Sequence, residues 1–373
     1  MKDFPYCSQF NHISWSASYL LSMHSQLFIP LMIGSMMYLL RVATQYYGRR
    51  NAGHCHFNQW TEREYEQIVN NFLSDISFKA PLARSKLDLQ SLVEKRMASQ
   101  GVSPIMIDRV KRCIKTGIKI TTLTYSFLSP AAQEAIATYA SYVISIDDLT
   151  TELLKELETY TATLTLGRKH RHTLLQGLTN HLGDQCRIFG PFGGDMIVKG
   201  TIEFLSSAVI EARQTEGLFL PKDAGEYLNF FRAKTGVAEP FAFFCFPEDT
   251  YPETAYLDTY LKAVPSIMLF LGYVNDILSF YKEEASPTDS AGFIHSHSKL
   301  HTISLAQSLR QITRETVQVV HQLRNICSAD HLLSQHMDKF IQGYIWYHLS
   351  CSRYKLSELN ISWAQLAIRP RQE

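Results

Sequence analysis

Residues 266–284 read SIMLFLGYVNDILSFYKEE, and the placement of polarity on that stretch decides the fold. Met268, Leu269, Phe270, Leu271, Val274, Ile277, Leu278, Phe280 and Tyr281 recur around the whole circumference of a helix, leaving hardly any side for water. Asn275, Ser279 and Glu283 then stand at i, i+4 and i+8, within about 80° of one another, so an amide, a hydroxyl and a carboxylate share one stripe. A solvated surface stripe is the simpler reading of such residues. The apolar flanks count against it, because polarity enclosed by large hydrophobic side chains is buried polarity. Hard oxygen donors of this kind suit a magnesium-like cation and suit zinc poorly.

A second apolar helical run, residues 135–152 (AIATYASYVISIDDLTTE), delivers Asp147 and Asp148, with Glu152 one turn beyond. Adjacent carboxylates repel, and at the C-terminal side of a helix they also oppose the macrodipole. A bound cation relieves both penalties. An ordinary acidic helix end is the alternative, since Glu156 and Glu158 continue the acidity. Taken with the Asn275 stripe, the pair supplies oxygen ligands from two separate helices, as a multi-magnesium pyrophosphate site requires.

Working outward, apolar residues keep helical spacing through 65–76, 87–97, 105–120, 131–146, 174–182, 196–212, 227–237, 257–281, 306–326 and 332–359. Alternating strand-like runs bounded by hairpin dipeptides are absent. Prolines fall mostly between these blocks, and Ser129-Pro130 reads as a cap followed by a first-turn proline. The fold class is therefore all-α, a helical bundle or barrel, with 61–373 as one domain and 1–60 as an N-terminal segment of undetermined structure. Residues 284–301 (EASPTDSAGFIHSHSKLH) are polar and rich in small residues, hence a loop, placed where it could act as a lid.

The 373 residues carry 36 Lys+Arg against 35 Asp+Glu, which removes the basic field of a non-specific nucleic-acid binder. Hydrophobic residues at 46% and aromatics at 12% exclude disorder and suggest an aromatic-rich interior. Seven scattered cysteines, none spaced as C-x-x-C, indicate neither a disulfide framework nor a zinc ribbon, and point to a reducing, cytoplasmic setting. Residues 19–40 have the length of a membrane span and no charged side chain, but His24, Gln26 and Pro30 among several serines dilute them, so a membrane span is not the preferred reading. His54-Cys55-His56, His170-Arg171-His172 and His295-Ser296-His297 lack a second ligand pair at zinc spacing and read as solvated loop histidines.

VNDILSFYKE at 274–283 resembles, position for position, the N-D-x-x-S-x-x-K-E metal motif of the fungal trichodiene-synthase type of class I terpene cyclases. FGPF at 189–192, the GY and H of GYIWYH at 343–348, and RYKLSE at 353–358 are similar to further stretches of that family. The resemblance implies a helical barrel around an apolar pocket, farnesyl diphosphate as substrate and three magnesium ions at the pocket mouth. It implies that Asp147 bridges two ions and that Asn275, Ser279 and Glu283 chelate the third. Lys282, Arg232 and the Arg353-Tyr354 pair would contact diphosphate, and Gly236 would stand at a helix break facing the substrate. The acidic motif departs from the family's more polar run at Leu149 and Thr151, so the product need not be trichodiene.

Tyr139, two turns before Asp147, and Tyr347, two turns before Tyr354 by spacing, are candidates for the aromatic pocket wall, with ordinary core packing as the alternative. The expected activity is magnesium-dependent ionisation and cyclisation of farnesyl diphosphate to a sesquiterpene, and a homodimer is compatible with it. A chain-elongating prenyl diphosphate synthase would carry aspartate-rich motifs on both helices. A catalytically dead helical binding protein would not need Asn275, Ser279, Glu283, Arg353 and Tyr354 intact.

Overall fold

The computed structural model describes residues 60–81, 88–213, 221, 223–285 and 292–368. The expectations for residues 1–59, including the apolar block at 19–40 and the histidines at 54 and 56, lie outside the described residues. Among those described, every regular element is a helix. One hydrophobic core runs from Tyr65 to Ala364, with Tyr65, Tyr125, Tyr139, Tyr142 and Phe244 buried without measurable exposure. Buried tyrosines need partners for their hydroxyls. Tyr65 donates to the carbonyl of Ile277 at 2.8 Å, Tyr344 to that of Leu271 at 3.1 Å and Tyr125 to that of Phe241 at 2.6 Å, so the core aromatics also fix neighbouring backbones.

The helix Val264–Glu284 is the apolar centre of this arrangement. It is also the one helix among the described residues long and apolar enough to cross a membrane, and two-thirds of that stretch is buried inside the protein, as a core helix would be. Around it pack Leu305–Ile326, Ala238–Phe243 and His331–Ser350, and Lys111–Thr124 pairs closely with Pro130–Asp148. Ser129 caps the last of these, its hydroxyl accepting from the Ala132 amide at 3.4 Å ahead of Pro130.

Two of the recognisable stretches have structural reasons. In FGPF, Gly190 sits at φ 78° and a Cβ there would meet the Glu253 carboxylate at 2.4 Å. That carboxylate accepts from the amides of Phe192 at 3.1 Å and Gly193 at 2.7 Å, capping the helix Pro191–Arg213. In GYIWYH, a Cβ on Gly343 would lie 2.0 Å from the Leu123 carbonyl, so only glycine lets those two helices approach.

Helical spacing overran several ends. Residues 105–120 divide into Pro104–Arg109 and Lys111–Thr124, and 257–281 divides where Pro265 opens a new helix after Tyr260. Residues 332–359 stop as an α-helix at Ser350 and continue as two 3-10 turns, with Lys355 at φ 58° between them. The expected loop at 284–301 is corrected in its second half, where Phe293–His301 is a helix. Three of the four remaining histidines are not solvated loop groups. His170 is buried and stacked 4.4 Å from Tyr160, His297 is buried beside Ser308, and His295 pairs with Glu284 at 3.0 Å.

Candidate functional site

Leu271, Asn275, Ser279 and Glu283 descend one face of the Val264–Glu284 helix at four-residue steps, over about 18 Å. All four line one cavity. The same apolar-to-polar gradient recurs beside it: Val143 precedes Asp147 on Pro130–Asp148, and Tyr344 and Tyr347 precede the Arg353-Tyr354 turn. Ile120, Phe204, Val237 and Phe241 complete the apolar lining, and Arg232 and Lys282 join its polar part. Polar and charged groups from several elements thus share one cavity lining with aliphatic and aromatic side chains.

The stripe is internally organised. The Ser279 hydroxyl donates to Glu283 Oε1 at 2.6 Å. Asn275 Oδ1 accepts from Arg232 Nη2 at 3.2 Å, and its amide nitrogen faces His348 Nε2 at 3.2 Å. Asp147 is itself exposed at the cavity mouth; the protein crowded around it still pushes its carboxyl above the ordinary pKa, and neighbouring Asp148 adds to this, while Arg353 and Lys282 oppose it. Burial raises the Tyr347 hydroxyl to about 12, so it stays protonated through the neutral range.

Arg232 is the most constrained cation. Its Nε lies 2.9 and 3.0 Å from the two carboxylate oxygens of Asp276, which is itself almost fully buried. Burial opposes the guanidinium charge, and Asp276 more than offsets that, raising the pKa of Arg232. Gly236 ends the same helix, and a Cβ there would come within 2.4 Å of Arg232 Nη1. Val237 follows at φ 50°, a left-handed conformation that a β-branched residue adopts only under constraint, and this break turns the chain into Ala238–Phe243.

Three expected residues stand elsewhere. Asp148 is exposed and accepts a weak bond from the Cys113 thiol at 3.4 Å, outside the cavity lining. Glu152 belongs to a new helix, Thr150–Leu157, because Leu149 at ψ 10° ends the first one, and it pairs with both terminal nitrogens of Arg109 at 2.9 and 2.5 Å. Tyr139 is core: its ring packs 4.9 Å from Phe244, and its hydroxyl meets Thr201 Oγ at 2.7 Å. Thr201 spends its own proton on the Ile197 carbonyl, so Tyr139 is the donor. Tyr139→Phe should therefore cost about 1 kcal/mol in chemical denaturation and leave the product spectrum unchanged; a changed product mixture would return the ring to the cavity wall.

Sequence reasoning missed Asp276 and His348. Both were in view, as the second position of the N-D motif and the histidine of GYIWYH, but their partners lie on other elements.

A cavity that gathers an oxygen-donor stripe, an aspartate, cations and aromatic side chains fits the class that the comparisons identify, the terpene synthases, lyases that work on carbon–oxygen bonds to phosphate. The trichodiene synthase (TRI5) family model matches residues 89–365, and the chain belongs to that family. It is 32% identical over 300 residues to the (E)-beta farnesene synthase of Metarhizium brunneum (strain ARSEF 3297), covering 80% of this chain and 91% of that one. It is 24% identical over 267 residues to the trichodiene synthase of Stachybotrys chartarum, covering 71% and 68%. The linalool/nerolidol synthase structure from Streptomyces clavuligerus shares the fold at a TM-score of 0.55 and 12% identity, over 73% of this chain and 99% of that one.

Proposed function

We propose that the protein is a magnesium-dependent sesquiterpene synthase that ionises farnesyl diphosphate, closes the resulting cation into a cyclic sesquiterpene and releases diphosphate. The observation that carries this reading is the convergence of Asp147, the Asn275–Ser279–Glu283 stripe, Arg232, Lys282, Arg353 and Tyr354 on one cavity that aliphatic and aromatic side chains also line. The donor chemistry fits a hard cation. The stripe offers an amide, a hydroxyl and a carboxylate, all oxygen donors, although among the described residues no three His, Cys, Asp or Glu side chains cluster. Asp147 and the stripe would hold the ions, three by family resemblance.

Magnesium, when bound, would neutralise the diphosphate and so weaken the allylic carbon–oxygen bond. The chain's own part is positional. Arg232, Lys282 and Arg353 present fixed positive charge, and Tyr354, buried and protonated, adds a hydroxyl donor, so the leaving group is stabilised before the bond breaks. Phe204, Phe241, Tyr344 and Tyr347 shield the allyl cation from water, and their faces stabilise migrating positive charge by about 0.5–2 kcal/mol each. No side-chain nucleophile is needed. A second reading, release of an acyclic olefin by early proton loss, is favoured by the similarity to the farnesene synthase.

Incubation with geranyl, farnesyl and geranylgeranyl diphosphates plus magnesium, followed by mass spectrometry of the volatiles, tests both. Farnesyl diphosphate is expected to be consumed to C15 hydrocarbon or alcohol, and EDTA to abolish product outright. Turnover that persists under EDTA, or the absence of any C15 product from farnesyl diphosphate, overturns the proposal.

A further inference from the structure

His348 has no role in the cavity chemistry above, yet it is completely buried and both of its ring nitrogens are engaged. Nδ1 lies 2.9 Å from the Tyr344 carbonyl, which can only accept, so Nδ1 carries the proton. Nε2 is then a bare acceptor, and it stands 3.2 Å from the amide nitrogen of Asn275. On its other side Asn275 meets Arg232 Nη2, and a guanidinium can only donate. An acceptor-only partner and a donor-only partner therefore bracket one amide. Flipping that amide would set N–H against N–H at Arg232 and oxygen against a lone pair at His348, losing both bonds.

We propose that His348 is a positioning residue for the cation site: its imidazole locks the Asn275 amide so that the oxygen, and never the nitrogen, is offered to a divalent cation. The inference rests on the cation-binding role proposed for the Asn275 stripe and deepens it. An asparagine is a weak ligand whose two ends are nearly the same shape, and half of its freely rotating population would present N–H to the ion. A glutamate or aspartate has no such ambiguity, so the device is needed at Asn275 and not at Glu283. Outer partners that orient ligands in this way commonly govern metal affinity by about tenfold to hundredfold.

The test is equilibrium binding of Mn2+ to the full chain in the presence of inorganic diphosphate, followed by electron paramagnetic resonance. His348→Asn keeps a donor for the Tyr344 carbonyl but cannot reach Asn275, and its Mn2+ dissociation constant is expected to rise about tenfold to hundredfold, with the half-activating magnesium concentration rising in step and kcat at saturating magnesium falling far less. His348→Gln restores a carbonyl acceptor near the Nε2 position and is expected to bind within about threefold of the wild type. In an Asn275→Asp background, where both ligand atoms are oxygens, His348→Asn should add little. If His348→Asn folds poorly, His348→Leu fills the space without an acceptor and reads the same bond. A wild-type constant in the folded Asn or Leu variant, or a Gln variant as weak as either, overturns the inference alone. A wild-type protein that binds no Mn2+ with diphosphate overturns the cation site, and this inference with it.

Discussion

Arg232→Gln is expected to lose about two to three orders of magnitude in kcat/KM and, separately, to destabilise the fold by about 3–5 kcal/mol. The two losses have different origins. Stability falls because Asp276, almost wholly buried and bound through both oxygens to Arg232, is left as an uncompensated charge. Activity falls because a guanidinium can grip two phosphate oxygens at once and an amide cannot. A double variant separates them: Arg232→Gln with Asp276→Asn replaces the ion pair by two neutral amides, and should recover most of the stability and little of the activity. Arg232→Lys keeps the charge without the fork and should sit between, with more acyclic or water-quenched products as the pocket closes less firmly. Thermal unfolding of the substrate-free protein and steady-state kinetics with farnesyl diphosphate read the two axes. A double variant that regains wild-type kcat/KM would reduce Arg232 to a structural ion pair.

How much of this could be read beforehand follows from what helical spacing encodes. The 266–284 stretch announces its helix and its stripe because both are properties of one element, and the same holds for Ser129-Pro130 and for most helix interiors. Partners on other elements are silent. Asp276 lies one residue from Asn275, about 100° away around the helix, and its significance exists only because the helix Gly225–Thr235 brings Arg232 to it. Glu152 was placed one turn past Asp148 on the assumption of a continuous axis, which the break at Leu149 removes. Tyr139 shares a face with Asp147 to within about 80°, but a helix buried on nearly all sides has no single inside, and that ring went to Phe244 and Thr201. The ends at Arg109, Tyr260 and Ser350 were missed because apolar spacing survives a small break, whereas backbone hydrogen bonding does not. Residue types also hid the strain at Val237, since a β-branched side chain is the last expected at positive φ.

Glu283→Gln isolates the charge of the donor stripe. The substitution keeps side-chain size and leaves a carbonyl oxygen for the Ser279 hydroxyl, which now donates at 2.6 Å, so the helix and its packing should be preserved and the melting temperature hardly changed. What disappears is the single formal negative charge among Asn275, Ser279 and Glu283. A neutral donor set binds a divalent cation much more weakly than one with a carboxylate, because the ion's own charge dominates the electrostatics of the site. The half-activating magnesium concentration should rise at least tenfold to hundredfold, and kcat should be only partly restored by excess magnesium, since the carboxyl no longer fixes the ion against the diphosphate. Ser279→Ala should show a smaller shift in the same direction: it removes a neutral ligand, and it also frees Glu283 from its present hydrogen bond. Asp147→Asn tests the second helix, where the protein crowded around this exposed residue and neighbouring Asp148 hold the carboxyl above its ordinary pKa. Removing that charge relieves the repulsion, so the metal-free protein should become slightly more stable as turnover falls. Magnesium titrations of initial rate at saturating farnesyl diphosphate, beside unfolding curves in EDTA, give both readings. Wild-type magnesium dependence in Glu283→Gln would mean that the stripe is polar for some reason other than holding an ion.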